Sequence, residues 1–243
     1  MKAFHNDAKL KSDLLVEITK HEQADAIIKG SYGSKENNGI FKGCAVGCSI
    51  ESYNRLKGKD LDTDDHGVYE SGFGIPCVLA HLEDRFFEGM RKTDGKTWPR
   101  QFIEAVPVGA DLSLVWPKFA VWMLTDTENG VIRHVENTNV RKTIQDISDT
   151  YVRVIQGEEV TVKEWLEKRA ASATYAAASY ATTAASYATT ASYATAYAFA
   201  FAAASYATTA VTYADSYAAS YASRQSHFKI MADKLLEIIK EAV

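Results

Sequence analysis

The stretch SYATTAASYATTASYATAYAFAFAAASYATTA, Ser179 to Ala210, is the centre of a tract that decides how this chain folds. From Ala170 to Ser223 the sequence is almost entirely Ala, Ser, Thr, Tyr and Phe, with Asp215 as its one charged residue. Neither Gly nor Pro occurs after Gly157. Alanine has the highest helix propensity and no helix breaker is present, so the tract is predicted to form one helix or several helices end to end.

Three other structures compete with the helix for this tract. A membrane span needs about 20 strongly apolar residues, whereas the apolar run AYAFAFAAA is short and has Ser and Thr on either side. Disorder is disfavoured because the tract lacks the Pro residues and the high net charge that keep a segment solvated. The alternation in YATAYAFAFA fits a β-strand, which leaves a fibre-like sheet as an alternative. We favour the helix.

The tyrosines of the tract predict self-association. At about 100° per residue, those before Phe199 lie in one broad sector of a helix and those after Ala204 lie in roughly the opposite one. A solitary uncharged rod of this kind would aggregate, so we expect other protein to cover it, and a homo-oligomer is the preferred arrangement. The residues predicted to mediate self-association are Tyr180, Tyr187, Tyr193, Tyr197, Tyr206, Tyr213 and Tyr217.

Charge and cysteine content restrict the partners and the compartment. The chain has 243 residues and a formal net charge of -4, with no local run of Lys and Arg. A nucleic-acid partner is therefore not expected, and neither is a membrane. The three cysteines and the start MKAFHNDAKLKSDLL, which lacks the apolar core of a signal peptide, predict a reducing cytoplasm.

The composition divides the chain into a mainly helical N-terminal domain, residues 1–157, and an Ala/Ser/Thr/Tyr-rich helical region, residues 158–243. Thr161 and Glu164 have the spacing of a capping box at the start of the second part. Its end is predicted to be an amphipathic helix, because apolar residues recur there at spacings of three and four. These residues are Phe228, Met231, Leu235 and Ile238.

The N-terminal domain is also predicted to be mainly α. A first helix is expected from about Asp7 to Lys29, ended by Gly30. The segment from Gly30 to Gly74 carries most of the glycines and is predicted to be mostly irregular. Further helices are expected to start at Pro76, at Pro99 and near Val140, and a buried helix around residues 110–124 is expected to be interrupted near Pro117.

The sequence GCAVGC contains the sharpest candidate for chemistry. The thiolates of Cys44 and Cys48 could bind zinc together with the imidazoles of His5 and His21, the histidines nearest in the chain. The alternative is a tight turn with two small buried thiols and a structural histidine. A reactive or redox-active cysteine is the third interpretation.

Two acidic stretches are interpreted as solvated. DLDTDDHGVYES begins like a calcium-binding loop, but Asp65 stands where that loop needs Gly and Ser71 stands where it needs Glu. Glu83, Asp84 and Glu88 could be catalytic carboxylates. We expect them instead on the exposed face of the helix that buries Leu79, Leu82, Phe86 and Met90.

Several motifs occur together along the chain: HND at residues 5–7, KGCAVGCSI at 42–50, GIPCVLAHLEDRFFEG at 74–89, WPRQFIEAVPVGADL at 98–112, and the Ala-rich tail. In this combination and order the chain resembles a family of uncharacterised proteins encoded by tailed phages and bacteria. The resemblance covers nearly the whole chain. It implies an intracellular accessory protein of a mobile element and supplies no catalytic residues.

Three functions are compatible with the sequence. The first is a non-enzymatic protein that self-assembles through the Ala/Tyr-rich helices. The second is a sequestering protein that holds a small metabolite or a nucleotide signal in the N-terminal domain or between subunits. The third is a metal-dependent enzyme that uses Cys44, Cys48, His5 and His21.

Overall fold

The computed structural model describes residues 1–37, 39–173 and 217–243. The described residues are mainly helical and contain little strand, which confirms the prediction of a mainly α protein. The predicted self-association residues from Tyr180 to Tyr213 lie outside the described residues. Tyr217 is the first residue of the last described helix.

The described α-helices are numbered here in chain order. They are α1 (Ala8–Gln23), α2 (Ala45–Lys57), α3 (Val68–Phe73), α4 (Cys77–Gly89), α5 (Lys92–Gly95), α6 (Trp98–Ala105), α7 (Val115–Thr125), α8 (Thr138–Ile155), α9 (Val162–Ala173) and α10 (Tyr217–Lys240). Short 3₁₀ helices cover Ala3–Asn6 and Val131–His134. Strands β1 (Ser34–Lys35) and β2 (Phe41–Lys42) form a two-stranded antiparallel sheet.

The chain divides into two compact units: unit 1 consists of Met1–Ser113 with Ala232–Val243, and unit 2 consists of Leu114–Met231. In unit 1, helix α1 packs against α2 and α6, and α2 packs against α4. In unit 2, the main packing is between α7 and α8, and α9 packs on α8. The predicted boundary after residue 157 is a different division, drawn from composition rather than from packing.

Asp111 joins both ends of the chain within unit 1. Lys2 forms an antiparallel bridge with Asp111, and the neighbouring Ala3 amide donates to the Ala110 carbonyl at 3.0 Å. The Asp111 amide donates to the Val243 carbonyl at 2.9 Å. The first and last residues therefore lie beside the same short segment.

Helix ends follow local rules in several places. Asp7 caps α1 by accepting hydrogen bonds from the amides of Lys9 and Leu10. The Thr161 hydroxyl accepts from the Glu164 amide at 3.2 Å, which is one half of the predicted capping box. The Glu164 carboxylate forms an ion pair with Arg153.

Three details of the predicted helices are wrong. Helix α1 ends at Gln23 rather than near Lys29, because Asp25 takes a left-handed conformation with φ 51° that a helix cannot continue through. Pro117 does not interrupt a helix. It lies in the first turn of α7, where the missing amide hydrogen has no helical partner to lose.

The third difference is α2, which lies inside the segment expected to be mostly irregular. Its Gly47 is present because the helix and the Tyr32 backbone meet closely: a Cβ atom at this position would lie 1.8 Å from the Tyr32 carbonyl oxygen. The glycine that suggested a loop is therefore a packing requirement of a helix.

Candidate ligand-binding site

The predicted zinc ligands lie in different environments. Cys44 is the N-cap of α2 and its sulfur accepts from the Gly47 amide at 3.4 Å. Cys48 lies one turn further along the helix, and its thiol donates to the Gly43 carbonyl at 3.4 Å. His21 is buried with its ring edge against Phe41, and His5 is exposed in the first 3₁₀ helix. In the described part of the chain, no group of three or more His, Cys, Asp and Glu side chains is arranged to hold a metal ion. Zinc stays a prediction.

Both thiols are held in the neutral form. Burial raises the pKa of Cys44 far above its ordinary value, and the negative charge of Asp84 raises it further. Burial also raises the pKa of Cys48 to about 12. Since the thiolate is the nucleophile and the metal ligand, neither sulfur is poised for either role in this arrangement.

The acidic residues of α4 are not on an exposed face, and that prediction is wrong. The exposed fraction is 0% for Glu83 and 3% for Asp84. Glu83 accepts a hydrogen bond from the Tyr69 hydroxyl at 2.7 Å. Burial raises the pKa of Glu83 well above its usual range, against the effect of the Tyr69 hydrogen bond. Burial therefore favours the protonated form of this carboxyl group more than water would.

Asp84 is the centre of a buried polar cluster. Its carboxylate accepts from the Tyr32 hydroxyl at 3.1 Å, and its Oδ2 lies 3.7 Å from His66 Nε2. The Cys44 thiol is also close enough to this carboxylate for Asp84 to raise the pKa of the thiol. Residues from a loop, from the start of α2 and from the segment before α3 thus converge on one residue of α4.

A second histidine lies behind the first. The rings of His66 and His81 stack with centroids 3.8 Å apart and 9° between their planes. Burial lowers the pKa of His81 to about 3, and proximity to the His66 ring lowers it further. His81 is therefore neutral under ordinary conditions.

A short segment that we name the strap, residues 29–32, runs along α4 beside this cluster. Lys29 Nζ donates to the carbonyl of Glu88 at 3.2 Å and to that of Met90. The Gly30 amide donates to the Glu88 carboxylate at 2.9 Å. With the Tyr32–Asp84 hydrogen bond, the strap is attached to two successive turns of α4.

A cleft of about 290 Å³ opens where the strap meets the end of α4. Its walls combine apolar side chains with lysine. The lining residues are Ile27, Ile28, Lys29, Phe87, Lys92 and Lys96. Pockets for small molecules have this composition, a largely apolar wall with a few polar groups that orient the ligand.

The three lysines of the cleft differ in how far their charges are neutralised. Burial lowers the pKa of Lys29, and its ammonium group lies 5.8 Å from the centre of the Phe87 ring. Lys96 forms an ion pair with Asp25 at 2.8 Å, and the hydrogen bond to Lys96 lowers the pKa of Asp25. Lys92 forms no ion pair within the part of the chain that is described. The net charge of the wall is positive.

Sequence reasoning missed this site because its residues are far apart in the chain. The Tyr32–Asp84 contact spans 52 positions, so no local pattern predicts it. One local signal was present, because Glu83 lies four residues after Leu79 and four before Phe87 on the apolar stripe of α4. A carboxylate on the buried face of a helix indicates an interior polar partner.

Comparisons with protein-family models, with curated proteins and with solved structures find no match for this chain. Within residues 1–37, 39–173 and 217–243, no helix is both long and apolar enough to cross a membrane. The candidate site is therefore interpreted from its own geometry.

Proposed function

We propose that this protein binds, without converting it, a small anionic molecule that carries a planar apolar group. Nucleotide chemistry has both properties. The observation that carries the proposal is the cleft of about 290 Å³ in which Lys29, Lys92 and Lys96 surround an apolar floor. The resemblance to phage-encoded proteins gives the setting in which we propose this role, the sequestering of a nucleotide signal inside a bacterial cell.

The electrostatics of the cleft favour an anion over a neutral ligand. Lys92 has no ion pair among the described residues, so its charge is available to a phosphate group. Lys96 is held by Asp25, which is exposed. Exposed ion pairs contribute little to stability, so a ligand phosphate can exchange for this carboxylate at small cost. Lysine binds phosphate as a mobile point charge, which suits such an exchange.

The neutral thiols support binding rather than catalysis. Burial raises the pKa of both Cys44 and Cys48, and a neutral thiol is a weak nucleophile. Glu83 and Asp84 each hold a tyrosine hydroxyl. The strongly polar residues near the cleft thus act in our proposal as a rigid support for the ligand.

The first test is a search for the ligand in the protein as purified. Mass spectrometry of small molecules released by heating should detect a phosphorylated species close to one per chain. The second test is a titration with a fluorescent ATP analogue. Lys92→Gln should weaken binding about tenfold or more, since a hydrogen bond to a charged group contributes about 1.5–3 kcal/mol.

The matched control is Lys142→Gln, which removes an exposed lysine of α8 that does not line the cleft. It should leave the affinity unchanged. Equal affinities for the wild type and Lys92→Gln, or an absence of binding for ATP, GTP and pyrophosphate alike, would refute the proposal.

Self-association through the Ala/Tyr-rich tract is a second proposed function, carried by the sequence. The tract between Ala170 and Ser223 has one charged residue, and a long uncharged surface needs cover in water. Light scattering during size exclusion should give a mass that is a multiple of the 26.8 kDa chain. Tyr187→Ser combined with Tyr206→Ser should shift that mass toward the monomer. A wild-type monomer at all micromolar concentrations would exclude this function.

A further inference from the structure

The tautomer of His66, that is, which ring nitrogen carries the hydrogen, follows from its hydrogen-bond partner. His66 Nδ1 lies 2.9 Å from the backbone oxygen of Asp64. A carbonyl oxygen only accepts hydrogen bonds, so Nδ1 must carry the hydrogen. In the neutral ring, Nε2 then presents a lone pair and acts as an acceptor.

This lone pair faces a second acceptor. His66 Nε2 lies 3.7 Å from Asp84 Oδ2. Nε2 is buried and has no hydrogen-bond partner within the described residues. Buried polar atoms are nearly always paired, and two acceptors that face each other are unfavourable without a donor between them. A nitrogen or oxygen about 2.9 Å from each atom reaches both at this separation.

Tyr32 contacts both members of this pair of acceptors. Its hydroxyl donates to the Asp84 carboxylate at 3.1 Å, and its ring meets the His66 ring edge-on with centroids 5.6 Å apart. Tyr32 is 38% exposed, whereas His66 is 7% exposed. Gly30 and Gly33 lie on either side of Tyr32 in the chain with φ of 80° and 120°, conformations that favour glycine.

Asp84 lies on the same helix as one residue of the cleft wall. Asp84 and Phe87 lie three residues apart on α4, which corresponds to about 4.5 Å along the helix axis. The strap borders both places, since Lys29 lines the cleft and Tyr32 covers Asp84.

We infer that the ligand presents an amino group to His66 Nε2 and Asp84 Oδ2 while its phosphate lies among the lysines of the cleft. This inference rests on the proposed function and specifies its ligand class. The favoured bases carry an exocyclic amino group, as adenine and cytosine do. Hypoxanthine and uracil have a carbonyl oxygen in that position, which would be a third acceptor beside the first two.

The test compares nucleotides that differ only in this group. ATP should bind at least about tenfold more tightly than ITP, and CTP more tightly than UTP, because one hydrogen bond to a charged acceptor is gained or lost. Asp84→Asn should remove most of the preference, since an amide nitrogen can donate to the carbonyl ligands. Tyr32→Phe should keep the preference, because it leaves both acceptors in place.

The outcomes separate the two proposals. Equal affinities for ATP and ITP, with binding still weakened by Lys92→Gln, would overturn the inference and leave the proposed function standing. An absence of binding for all four nucleotides and for pyrophosphate would overturn both.

A measurement on the wild type avoids any effect of a variant on folding. Nitrogen-15 NMR of the unliganded protein should show that the neutral His66 ring carries its hydrogen on Nδ1. A neutral ring with its hydrogen on Nε2 would already donate to Asp84, which would leave no pair of acceptors and would overturn the inference.

Discussion

The interiors of the two units are built differently. Helices α7 and α8 of unit 2 enclose mainly apolar side chains, among them Phe119, Met123, Ile144 and Ile147. The buried polar residues described there are Ser148, Thr150 and His227. Unit 1 buries a longer series of polar and charged groups: His21, Ser49, Glu51, Ser52, Asn54, His66, His81, Glu83 and Asp84.

The two interiors differ in the free-energy cost of burial as well as in composition. Burying a polar group without a partner costs about 1–3 kcal/mol in proteins, so unit 1 needs partners that unit 2 does not. The Thr150 hydroxyl in unit 2 needs only the Asp146 carbonyl of its own helix, at 2.8 Å. In unit 1, Asp84 takes a tyrosine from a segment 52 residues away. Satisfied polar networks of this kind rigidify the interior and specify a unique core.

The largest expected effect tests whether unit 2 depends on apolar packing. Phe119 is 0% exposed, and Phe119→Ala should destabilise the unit by about 3–5 kcal/mol through lost burial and a residual cavity. Hydrogen exchange resolved by segment should report the loss in α7 and α8. Phe102→Ala is the equivalent change in unit 1, and the loss of hydrogen-exchange protection should then be found in the helices of unit 1. Uniform deprotection of both units by either variant would show that they unfold together.

Acid should lower the free energy of unfolding of both units, through one buried histidine in each unit. Burial lowers the pKa of His227 to about 4, and the charge of His134 adds to this. Below the unfolded value near pH 6.5, the unfolded chain binds protons that the folded chain refuses. Stability should therefore fall from about pH 6.5 to about pH 4 and then level, by up to about 3 kcal/mol for this group.

Urea unfolding between pH 7 and pH 4.5 measures this effect. His227→Gln should reduce the loss, while His5→Gln, which changes an exposed histidine, should not alter it. The same comparison with His81→Gln reports on unit 1, because burial lowers the pKa of His81 to about 3. Identical pH profiles for the wild type and both buried-histidine variants would contradict the assignment of neutral rings.

A smaller effect tests the packing between the strap and α2. Gly47→Ala places a methyl group 1.8 Å from the Tyr32 carbonyl oxygen, so the strap must move. We expect a loss of about 1–3 kcal/mol and faster hydrogen exchange in the strap. Gly72→Ala is the control, because its methyl group meets only side-chain atoms of Tyr53 and Val68, at 3.1 Å and beyond. Equal effects of the two changes would mean that the strap is not held against α2.

The smallest effect compares one helix cap in each unit. Asp7 accepts from the amides of Lys9 and Leu10 at the start of α1, and Asn137 accepts from those of Asn139 and Val140 at the start of α8. Asp7→Ala and Asn137→Ala should each cost about 1 kcal/mol. Chemical denaturation measures the loss. A much larger effect at Asp7 alone would indicate that unit 1 relies on this helix end for more than capping.

The regular parts of the fold could be predicted from the sequence because they depend on nearest neighbours. Phe228, Met231, Leu235 and Ile238 are all buried, as their helical spacing predicted. Leu79, Leu82, Phe86 and Met90 are each 0% exposed for the same reason. Asp7 and Thr161 act at helix starts, where a short polar side chain satisfies amides two or three residues ahead.

The site could not be predicted, because it is assembled from distant segments. Lys29, Phe87 and Lys96 come from three parts of the chain and meet only in the folded unit. The sequence predicted that Asp84 is a solvated helix residue, whereas the structure places Tyr32 and His66 beside it. The glycines around Cys44 suggested a turn, but Gly47 instead permits a close contact between a helix and the Tyr32 backbone.

The meeting of both chain ends at Asp111 has a consequence for the topology of unit 1. Lys2 and Val243 each contact this one residue, so a short linker could connect them without disturbing the packing around it. Lys2 and Val243 are thus nearly adjacent in space. The fold of unit 1 should therefore not depend on the order in which its segments follow one another in the chain. A circularly permuted chain opened in the exposed turn after α2, at residues 58–60, would retain the bridge at Asp111 and the same set of helices.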